Sequence, residues 1–253
     1  MTLICSTPTD SRRFGGIERL YGAGALQRAA AAHVVVIGIG GVGSWAAEAL
    51  ARSAIGRLTL IDLDHIAESN INRQIHALED SLGAAKVVAM AQRIAAINPA
   101  CRVDCIEDYI DEANIAALVP AADAIIDAID NVRAKAALIA HCRRLKQRIV
   151  TTGGAGGRID PTRIEVTDLS RTVQDALASK VRARLRKLHG FPRDLDKKFG
   201  VECVFSPEQI VRPNRTDAAL YGLSCAGYGS SVAVTAGFGF AAAARVLAGI
   251  LMP

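Results

Sequence analysis

The sequence predicts an α/β fold with a doubly wound, mostly parallel, Rossmann-like sheet and a smaller C-terminal extension. Hydrophobic residues make up 51% of the 253 residues and aromatic residues only 4%, so small aliphatic side chains must fill the core. This composition suits helices packed on both faces of a parallel sheet. Short β-branched runs also alternate with helical patterns as far as residue 157. That alternation is the order of elements that a doubly wound sheet requires.

The predicted elements begin with a short helical arm over residues 11–32, expected to pack on the domain. An apolar strand at His33–Ile37 breaks into glycines and then into a helix from Ser44, and a second strand at Arg57–Ile61 completes a βαβ unit. Loops and short helices are expected over 66–82. Further helices are predicted over 83–97, 111–119 and 135–144, and further strands over 102–106, 124–130 and 148–152.

The pattern changes beyond residue 160. The sequence there predicts a strand at 163–166, a basic helix at 172–188, a short strand at 203–205, a polar loop at 214–222 and an apolar segment at 231–251. We therefore divide the chain into an arm (1–32), a nucleotide-binding core (33–160) and a C-terminal contact and interface region (161–253).

The apolar C-terminal segment raises the question of membrane contact over 231–252. Its charge-free part, 231–244, is shorter than the ~20 residues that a membrane span needs. Arg245 then interrupts the apolar run. Small residues also suit close helix packing, so a buried or interfacial helix is favoured over membrane contact.

The cysteines indicate a reducing, cytoplasmic setting. The chain has six cysteines but no C-x-x-C pair, which argues against a zinc ribbon or a thioredoxin-like motif. Residues 1–10 are too polar and short for a signal peptide. Cys101 and Cys105 are not expected to bind metal. Cys203 and Cys225 are interpreted as small buried residues, although Cys225 could also be a reactive thiol or a sulfur-relay contact.

A glycine motif lies between the first strand and the first core helix. Gly38, Gly40 and Gly43 form G-x-G-x-x-G, and Gly41 follows within it. Glycines at these positions let the backbone turn sharply and let a phosphate approach the N-terminus of the helix. This context favours nucleotide binding over a purely structural turn. Asp62 follows the second strand, where an acidic residue commonly holds ribose hydroxyls, and Asp64 could hold them with it. NAD is therefore the natural first interpretation.

Polar residues after the second strand suit a triphosphate better than a dinucleotide. Arg73 and Lys86 could neutralise the charge of the triphosphate. Asn70 is a further polar residue of this stretch, between Asp64 and Arg73. Asp130, at the end of its strand, is a candidate Mg²⁺ ligand. Asp127 would share that face only if the strand alternation persists. No G-x-x-x-x-G-K-[ST] motif is present, which argues against a P-loop kinase.

These motifs together resemble the ubiquitin-activating-enzyme-like adenylating superfamily over residues 13–157. They are Gly38-Ile39-Gly40-Gly41-Val42-Gly43, Asp62-Leu63-Asp64, Ser69-Asn70-Ile71-Asn72-Arg73-Gln74, Gly83-x-x-Lys86, Ile97-Asn98-Pro99 and Asp127-Ala128-Ile129-Asp130-Asn131. The resemblance implies that Asp62, Asn70, Arg73, Lys86 and Asp130 bind ATP and Mg²⁺. It also implies a homodimer in which an N-terminal arginine of the partner reaches the phosphates. Arg13 is the first candidate for that arginine, and Arg19 is the reserve.

A second group of motifs resembles one branch, the tRNA threonylcarbamoyladenosine dehydratases, and extends the similarity over nearly the whole chain. It comprises Arg13-Phe14-Gly15-Gly16, Arg73-Gln74-Ile75-His76-Ala77-Leu78, residues 150–157, residues 201–206 and Cys225-Ala226-Gly227-Tyr228-Gly229. The resemblance implies ATP-dependent activation of the carboxylate of threonylcarbamoyladenosine in tRNA, with Arg73, Lys86 and Asp130 as catalytic residues. The activated carbonyl is then attacked within the same side chain, so no covalent enzyme intermediate is needed.

The alternatives belong to other classes of function. One is adenylation of the C-terminus of a sulfur-carrier protein, although the paired C-x-x-C motifs of that branch are missing. Another is an NAD-binding oxidoreductase or a non-catalytic nucleotide sensor. The sequence leaves open whether a monovalent cation or a sulfur-transfer protein also binds.

The distribution of charge bears on tRNA binding. The chain has a formal net charge of only +5, yet residues 180–198 hold eight basic residues against two acidic ones. A solvated helix face would explain one such helix, but with the resemblance a phosphate backbone is the favoured ligand. The predicted tRNA-binding residues are Lys180, Arg182, Arg184, Arg186 and Lys187. His76 is interpreted as structural in preference to a catalytic base.

Overall fold

The computed structural model describes residues 8–211 and 228–252. The predicted arm consists of two helices, α1 (Pro8–Tyr21) and α2 (Ala25–Ala31). Phe14 of α1 and Ala29 of α2 are buried in the main hydrophobic core. The arm therefore packs on the domain, as the sequence predicts.

Seven strands form one sheet in the order β3-β2-β1-β4-β5-β7-β6. The strands are β1 (His33–Ile37), β2 (Arg57–Ile61), β3 (Arg102–Ile106), β4 (Ala124–Asp127), β5 (Ile149–Thr152), β6 (Glu165–Asp168) and β7 (Glu202–Phe205). All neighbouring pairs are parallel except β6 and β7. The order reverses between β1 and β4, which confirms the predicted doubly wound sheet.

Helices cover both faces of this sheet. They are α3 (Gly43–Arg52), α4 (Lys86–Ile97), α5 (Ile115–Leu118), α6 (Val132–Arg144), α7 (Ala176–Leu188) and α8 (Val232–Leu251). Val34 and Val36 of β1 pack in the core that contains α3 and α8. Val35 and Ile37 pack in the core that contains α6 and α7. A central strand buried on both faces explains why its sequence is apolar without alternation.

Three predicted helix starts lie three or four residues before the observed ones, because local contacts and backbone conformation set the boundary. The helix predicted from 135 instead begins earlier, at Val132. The helix predicted from 83 begins at Lys86, after Gly83, which has φ of +81°. The helix predicted from 172 begins at Ala176, where the Asp175 carboxylate accepts a hydrogen bond from the backbone of Ala178. In α5, the carboxylate of Asp111 instead bonds the backbone of Ala113, so that helix is only one turn long.

The apolar C-terminal segment forms α8, which is long and apolar enough to cross a membrane by length and composition alone. Its most apolar window is 56% buried inside the molecule. Gly239 lets α8 approach α3 closely, because a Cβ there would lie 2.5 Å from the carbonyl oxygen of Val42. Arg245 forms an ion pair with Glu202 of β7 at 2.5 Å. The helix is thus a packed element of the fold.

Residues beyond 160 extend the same sheet. After β5 the chain first forms β6 at the edge of the sheet. It then forms β7, which lies between β5 and β6. The division of the chain at residue 160 stays a prediction. The predicted polar loop at 214–222 and Cys225 lie outside the described residues.

Candidate active site

A cavity of about 760 Å³ opens at the carboxyl ends of β1, β2, β4 and β5. This is the switch point of the sheet, where doubly wound proteins bind ligands. The cavity brings together nine of the predicted site residues from five separate segments of chain. These residues are Gly38, Gly40, Gly41, Asp62, Asp64, Asn70, Arg73, Lys86 and Asp130.

The glycine turn joins β1 to α3 at the floor of this cavity. Gly38 has φ of +85°, and a Cβ there would lie 2.8 Å from the carbonyl oxygen of Ala128. A Cβ on Gly43 would overlap the carbonyl oxygen of Gly38. Gly43 does not line the cavity. Its lack of a side chain lets α3 begin in close contact with the end of β1. The N-terminus of α3 consequently faces the cavity, where it favours an anion.

Asp62 is held by backbone groups at the end of β2. Its carboxylate accepts hydrogen bonds from the backbone N–H of Ile39 at 2.5 Å and of Asp64 at 2.8 Å. Burial raises the pKa of this carboxyl, and nearby Lys86 opposes that rise. The carboxylate is therefore oriented before any ligand arrives.

Lys86 extends from the start of α4 to the same side of the cavity. Its Nζ lies 2.6 Å from Oδ2 of Asp64, and the lysine side chain is only 7% exposed while the aspartate is 72% exposed. A buried ammonium with one exposed partner can exchange that partner for a ligand phosphate. This arrangement suits the predicted charge-neutralising role of Lys86, which stays a prediction.

Arg73 lines the cavity beside the glycine turn, close to Gly41. Its Nη1 donates hydrogen bonds to the carbonyl oxygen of Ser69 at 2.6 Å and to the side chain of Asn72 at 2.9 Å. Trp45 of α3 donates to the carbonyl oxygen of Arg73 at 2.9 Å. Asn70 is buried, and its side-chain oxygen accepts from the backbone of Ala67 at 3.1 Å. Asn70 thus ends a 3₁₀ turn over Glu68–Asn70, and the backbone of Arg73 just after it is anchored to α3.

The two acids at the end of β4 have different surroundings. Asp127 is fully buried, where its carboxylate accepts from Thr151 at 2.6 Å and pairs with Lys135 at 3.0 Å. Asp127 therefore does not share the face of Asp130. Asp130 is exposed and lines the cavity. Lys135 also donates to the carbonyl oxygen of Ile129 at 2.9 Å, so the buried pair fixes the turn that presents Asp130.

Sequence reasoning missed a second buried pair, Arg158 and Asp175, at the far end of the cavity. Their nearest charged atoms are 3.5 Å apart, and both residues line the cavity. Arg158 donates to the carbonyl oxygen of Gly154 at 3.0 Å, while Asp175 accepts from the backbone N–H of Gly154 at 3.0 Å. The pair thus clamps the glycine-rich turn after β5. The sequence contains the glycine run, but no local pattern links it to an acid about twenty residues away.

Other predicted residues lie outside the cavity. Arg13 of α1 is exposed, and its Nη1 donates to the carbonyl oxygen of Ile97 at 2.9 Å. The predicted tRNA-binding residues of α7 also lie outside it. His76 is buried, its Nε2 lies 3.0 Å from the carbonyl oxygen of Ile39, and burial lowers its pKa to about 4. These contacts suit a structural role.

The described cysteines have no ligand geometry. Cys101, Cys105, Cys142 and Cys203 are free thiols. Within residues 8–211 and 228–252, no group of three or more His, Cys, Asp or Glu side chains could hold a metal ion. Cys203 is fully buried on β7, and burial raises the pKa of its thiol. This environment fits an inert, packed cysteine.

A glycine turn at the switch point of a doubly wound sheet, with charged side chains around one cavity, defines a nucleotide-binding α/β protein. Residues 15–251 match the ThiF family. The chain belongs to that family.

Similar proteins agree with this assignment. The tRNA threonylcarbamoyladenosine dehydratase of Escherichia coli K12 is 52% identical over 248 residues, which is 93% of this chain and 92% of the relative. The protein of the same name from Haemophilus influenzae is 46% identical over 98% of this chain and 96% of its own length. The crystal structure of the Escherichia coli enzyme with ATP superposes with a TM-score of 0.90 at 50% identity, covering 98% of each chain, and a second structure contains AMP. The predicted fold and family resemblance are confirmed.

Proposed function

We propose that this protein is an ATP-dependent tRNA threonylcarbamoyladenosine dehydratase that acts through an acyl-adenylate. The observation that carries the proposal is the cavity at the switch point, where an oriented carboxylate, two cations and an exposed aspartate surround a glycine turn. An NAD site needs the turn and the carboxylate but gives no reason for Arg73, Lys86 and Asp130 to converge. The similar Escherichia coli enzyme, crystallised with ATP and with AMP, supports the same ligand here.

The reaction balances as two displacements. A carboxylate oxygen of threonylcarbamoyladenosine attacks the α-phosphorus of ATP, and the bond to the β-phosphate breaks to release pyrophosphate. An atom of the same side chain then attacks the activated carbonyl carbon, and AMP leaves with the original carboxylate oxygen. The nucleoside loses the elements of water, which ATP cleavage takes up.

In this scheme each residue of the cavity has a part in binding or charge neutralisation. Asp62 holds the ribose hydroxyls, with Asp64 beside it, and Asn70 contributes to the nucleotide pocket. The α3 N-terminus and the backbone at Gly40 and Gly41 receive the phosphates. Lys86 and Arg73 stabilise charge that develops on the phosphates as pyrophosphate leaves. Because ring closure is intramolecular, the protein need only position the groups and exclude water.

Asp130 is the residue that would hold Mg²⁺. It is an exposed carboxylate, whereas Asp127 is buried against Lys135 and Asp64 is paired with Lys86. Mg²⁺ in nucleotide sites is usually bound by one or two carboxylates together with substrate phosphates and waters, so this donor set fits. The ion would supply electrostatic stabilisation of the leaving pyrophosphate. A monovalent cation remains an additional candidate.

Assembly and location are part of the proposal. In a homodimer, Arg13 or Arg19 of one copy would approach the phosphates of the other, which is consistent with the position of Arg13 outside its own cavity. We place the protein in the cytoplasm with its tRNA substrate. A sulfur-transfer protein is a candidate partner. The regions 1–32, 33–160 and 161–253 would supply the arm, the adenylation core and the tRNA and interface contacts.

The first rival is an enzyme that adenylates the C-terminus of a sulfur-carrier protein. Exchange of labelled pyrophosphate into ATP separates the two functions. We expect exchange to be stimulated by tRNA containing threonylcarbamoyladenosine and not by a protein ending in Gly-Gly. The opposite pattern would support the rival. A dehydrogenase is tested more simply, because it would bind NAD and ignore ATP with Mg²⁺.

A further inference from the structure

A second concave surface lies beside the reaction cavity, between the C-terminal ends of α6 and α7 and the turn that follows α7. We call this cleft of about 710 Å³ the α6–α7 cleft. Among the described residues that line it, Glu112 is the one acidic side chain. The basic side chains that line it are His141, Arg143, Arg144, His189 and Lys198.

The cleft has a surplus of positive charge that no internal partner neutralises. Glu112 is already paired with Arg184, at 2.8 Å. Arg143, Arg144 and Lys198 are exposed, and none of them forms an ion pair within the part of the chain that the structure describes. Arg144 donates to Nδ1 of His141 at 3.2 Å, so that imidazole serves as a neutral acceptor. Three unpaired cations therefore surround one concave surface.

The arginines of α7 are engaged within the protein. Arg182 donates to the hydroxyl of Thr172, and Arg184 pairs with Glu112. Arg186 donates to the carbonyl oxygen of Pro192 at 3.1 Å and lies 5.1 Å from the centre of the Phe199 ring. All three side chains are half-buried. None of the three lines the cleft, so the cations available to a ligand there come from α6 and from Lys198.

A buried nitrogen without a partner also belongs to the lining of the cleft. His189 lines it, and its Nε2 is buried with no hydrogen-bond partner among the described residues. Buried polar atoms of this kind normally have a partner, so a ligand or an ordered water is expected to supply one. An anion with several oxygen atoms would give His189 Nε2 a partner and neutralise the surrounding positive charge.

The α6–α7 cleft adjoins the reaction cavity at Glu112, which lines both. We infer that the cleft binds backbone phosphates of the tRNA next to the nucleoside that occupies the reaction cavity. The inference rests on the proposed function, since that function brings an RNA strand to the cavity. A strand leaving the cavity past Glu112 would meet the three unpaired cations within the cleft. The tRNA surface would then be the cleft and not the exposed stripe of α7 alone.

The test is a triple variant, R143Q/R144Q/K198Q, compared with a matched control, R52Q/R102Q/R163Q. The control removes three exposed arginines that line neither the cavity nor the cleft. Binding of tRNA is measured against salt concentration. We expect the cleft variant to bind about tenfold more weakly or worse, and the slope of log K against log salt to fall by about two. The control variant should stay close to the wild type in both tRNA affinity and salt dependence.

Two further readouts separate this effect from misfolding and from failure of the proposed function. The cleft variant should bind ATP like the wild type. Its KM for tRNA should rise, while kcat at saturating tRNA should change little. Single variants at the same three exposed positions replace the triple variant if it does not fold. If the wild type forms no dehydrated nucleoside, the proposed function fails. If the wild type forms it and the cleft variant binds tRNA as the control does, the cleft inference alone is overturned.

Discussion

Two carboxylates three residues apart behave differently at the end of β4. The sequence identifies both Asp127 and Asp130 as candidates, but it cannot tell which one faces the cavity. The outcome depends on Thr151 of β5 and Lys135 of α6, which enclose Asp127 and leave Asp130 exposed. These partners come from neighbouring elements, so no local sequence pattern predicts them.

Replacing Asp130 with alanine should abolish turnover and spare the fold, because the side chain is exposed and would act only through Mg²⁺. Replacing Asp127 with alanine should instead destabilise the protein by about 3–5 kcal/mol, because it leaves Lys135 buried without its carboxylate. Pyrophosphate release and thermal unfolding measure the two effects. Turnover retained by Asp130→Ala would remove it as the metal ligand.

Arg73→Ala should lower kcat/KM for adenylation by about 10²–10³, the usual loss when one stabilising donor is removed from a reacting group. Arg52→Ala is the matched control: Arg52 is exposed, and its partner Glu48 keeps its second ion pair with Arg93. Pyrophosphate release is the measurement. An unchanged rate for Arg73→Ala would contradict the role proposed for this guanidinium.

His76 should make stability depend on pH. Burial lowers its pKa from 6.5 to about 4 in the folded protein. Between these values the unfolded chain binds a proton that the native protein does not, so stability falls as pH falls through this window and levels off below it. The loss should approach about 3 kcal/mol. Unfolding by urea across this range should show a flatter profile for His76→Gln, and an equally steep profile would refute the assignment.

At the scale of elements, the sequence predicts which strands and helices exist more reliably than where they end. Apolar runs and helical periodicity identify the central strands and the helices on either side. The ends are set by single contacts, such as the Asp175 cap of α7 and the positive φ of Gly83 before α4. The membrane alternative for α8 also needed tertiary information, because only packing against α3 distinguishes a core helix from an equally apolar span.

The turn between β1 and α3 should be intolerant of a single methyl group. A Cβ on Gly43 would overlap the carbonyl oxygen of Gly38, so Gly43→Ala should cost about 1–3 kcal/mol and weaken ATP binding. Gly16→Ala in α1 is the control, because its Cβ would meet nothing nearer than 3.9 Å. Thermal unfolding and ATP titration should show no loss for Gly16→Ala. Equal stability of the two variants would contradict the close approach at Gly43.

At the scale of the whole molecule, nine predicted residues from segments far apart in sequence meet in one cavity. The sequence could predict this because parallel strands place their carboxyl ends at one edge. It could not predict the insertion of β7 between β5 and β6, nor the clamp of Arg158 and Asp175 on the glycine turn. Both depend on contacts between residues far apart along the chain, which leave no periodic signal.

The central claim is that the cavity converts a carboxylate of a tRNA nucleoside into an acyl-adenylate so that it can cyclise. The most direct measurement incubates the purified protein with ATP, Mg²⁺ and tRNA containing threonylcarbamoyladenosine, then digests the tRNA and determines the mass of the nucleoside. We predict that the nucleoside loses one water, and only when ATP is present. An unchanged mass with every component supplied, or the same loss without ATP, would contradict the account.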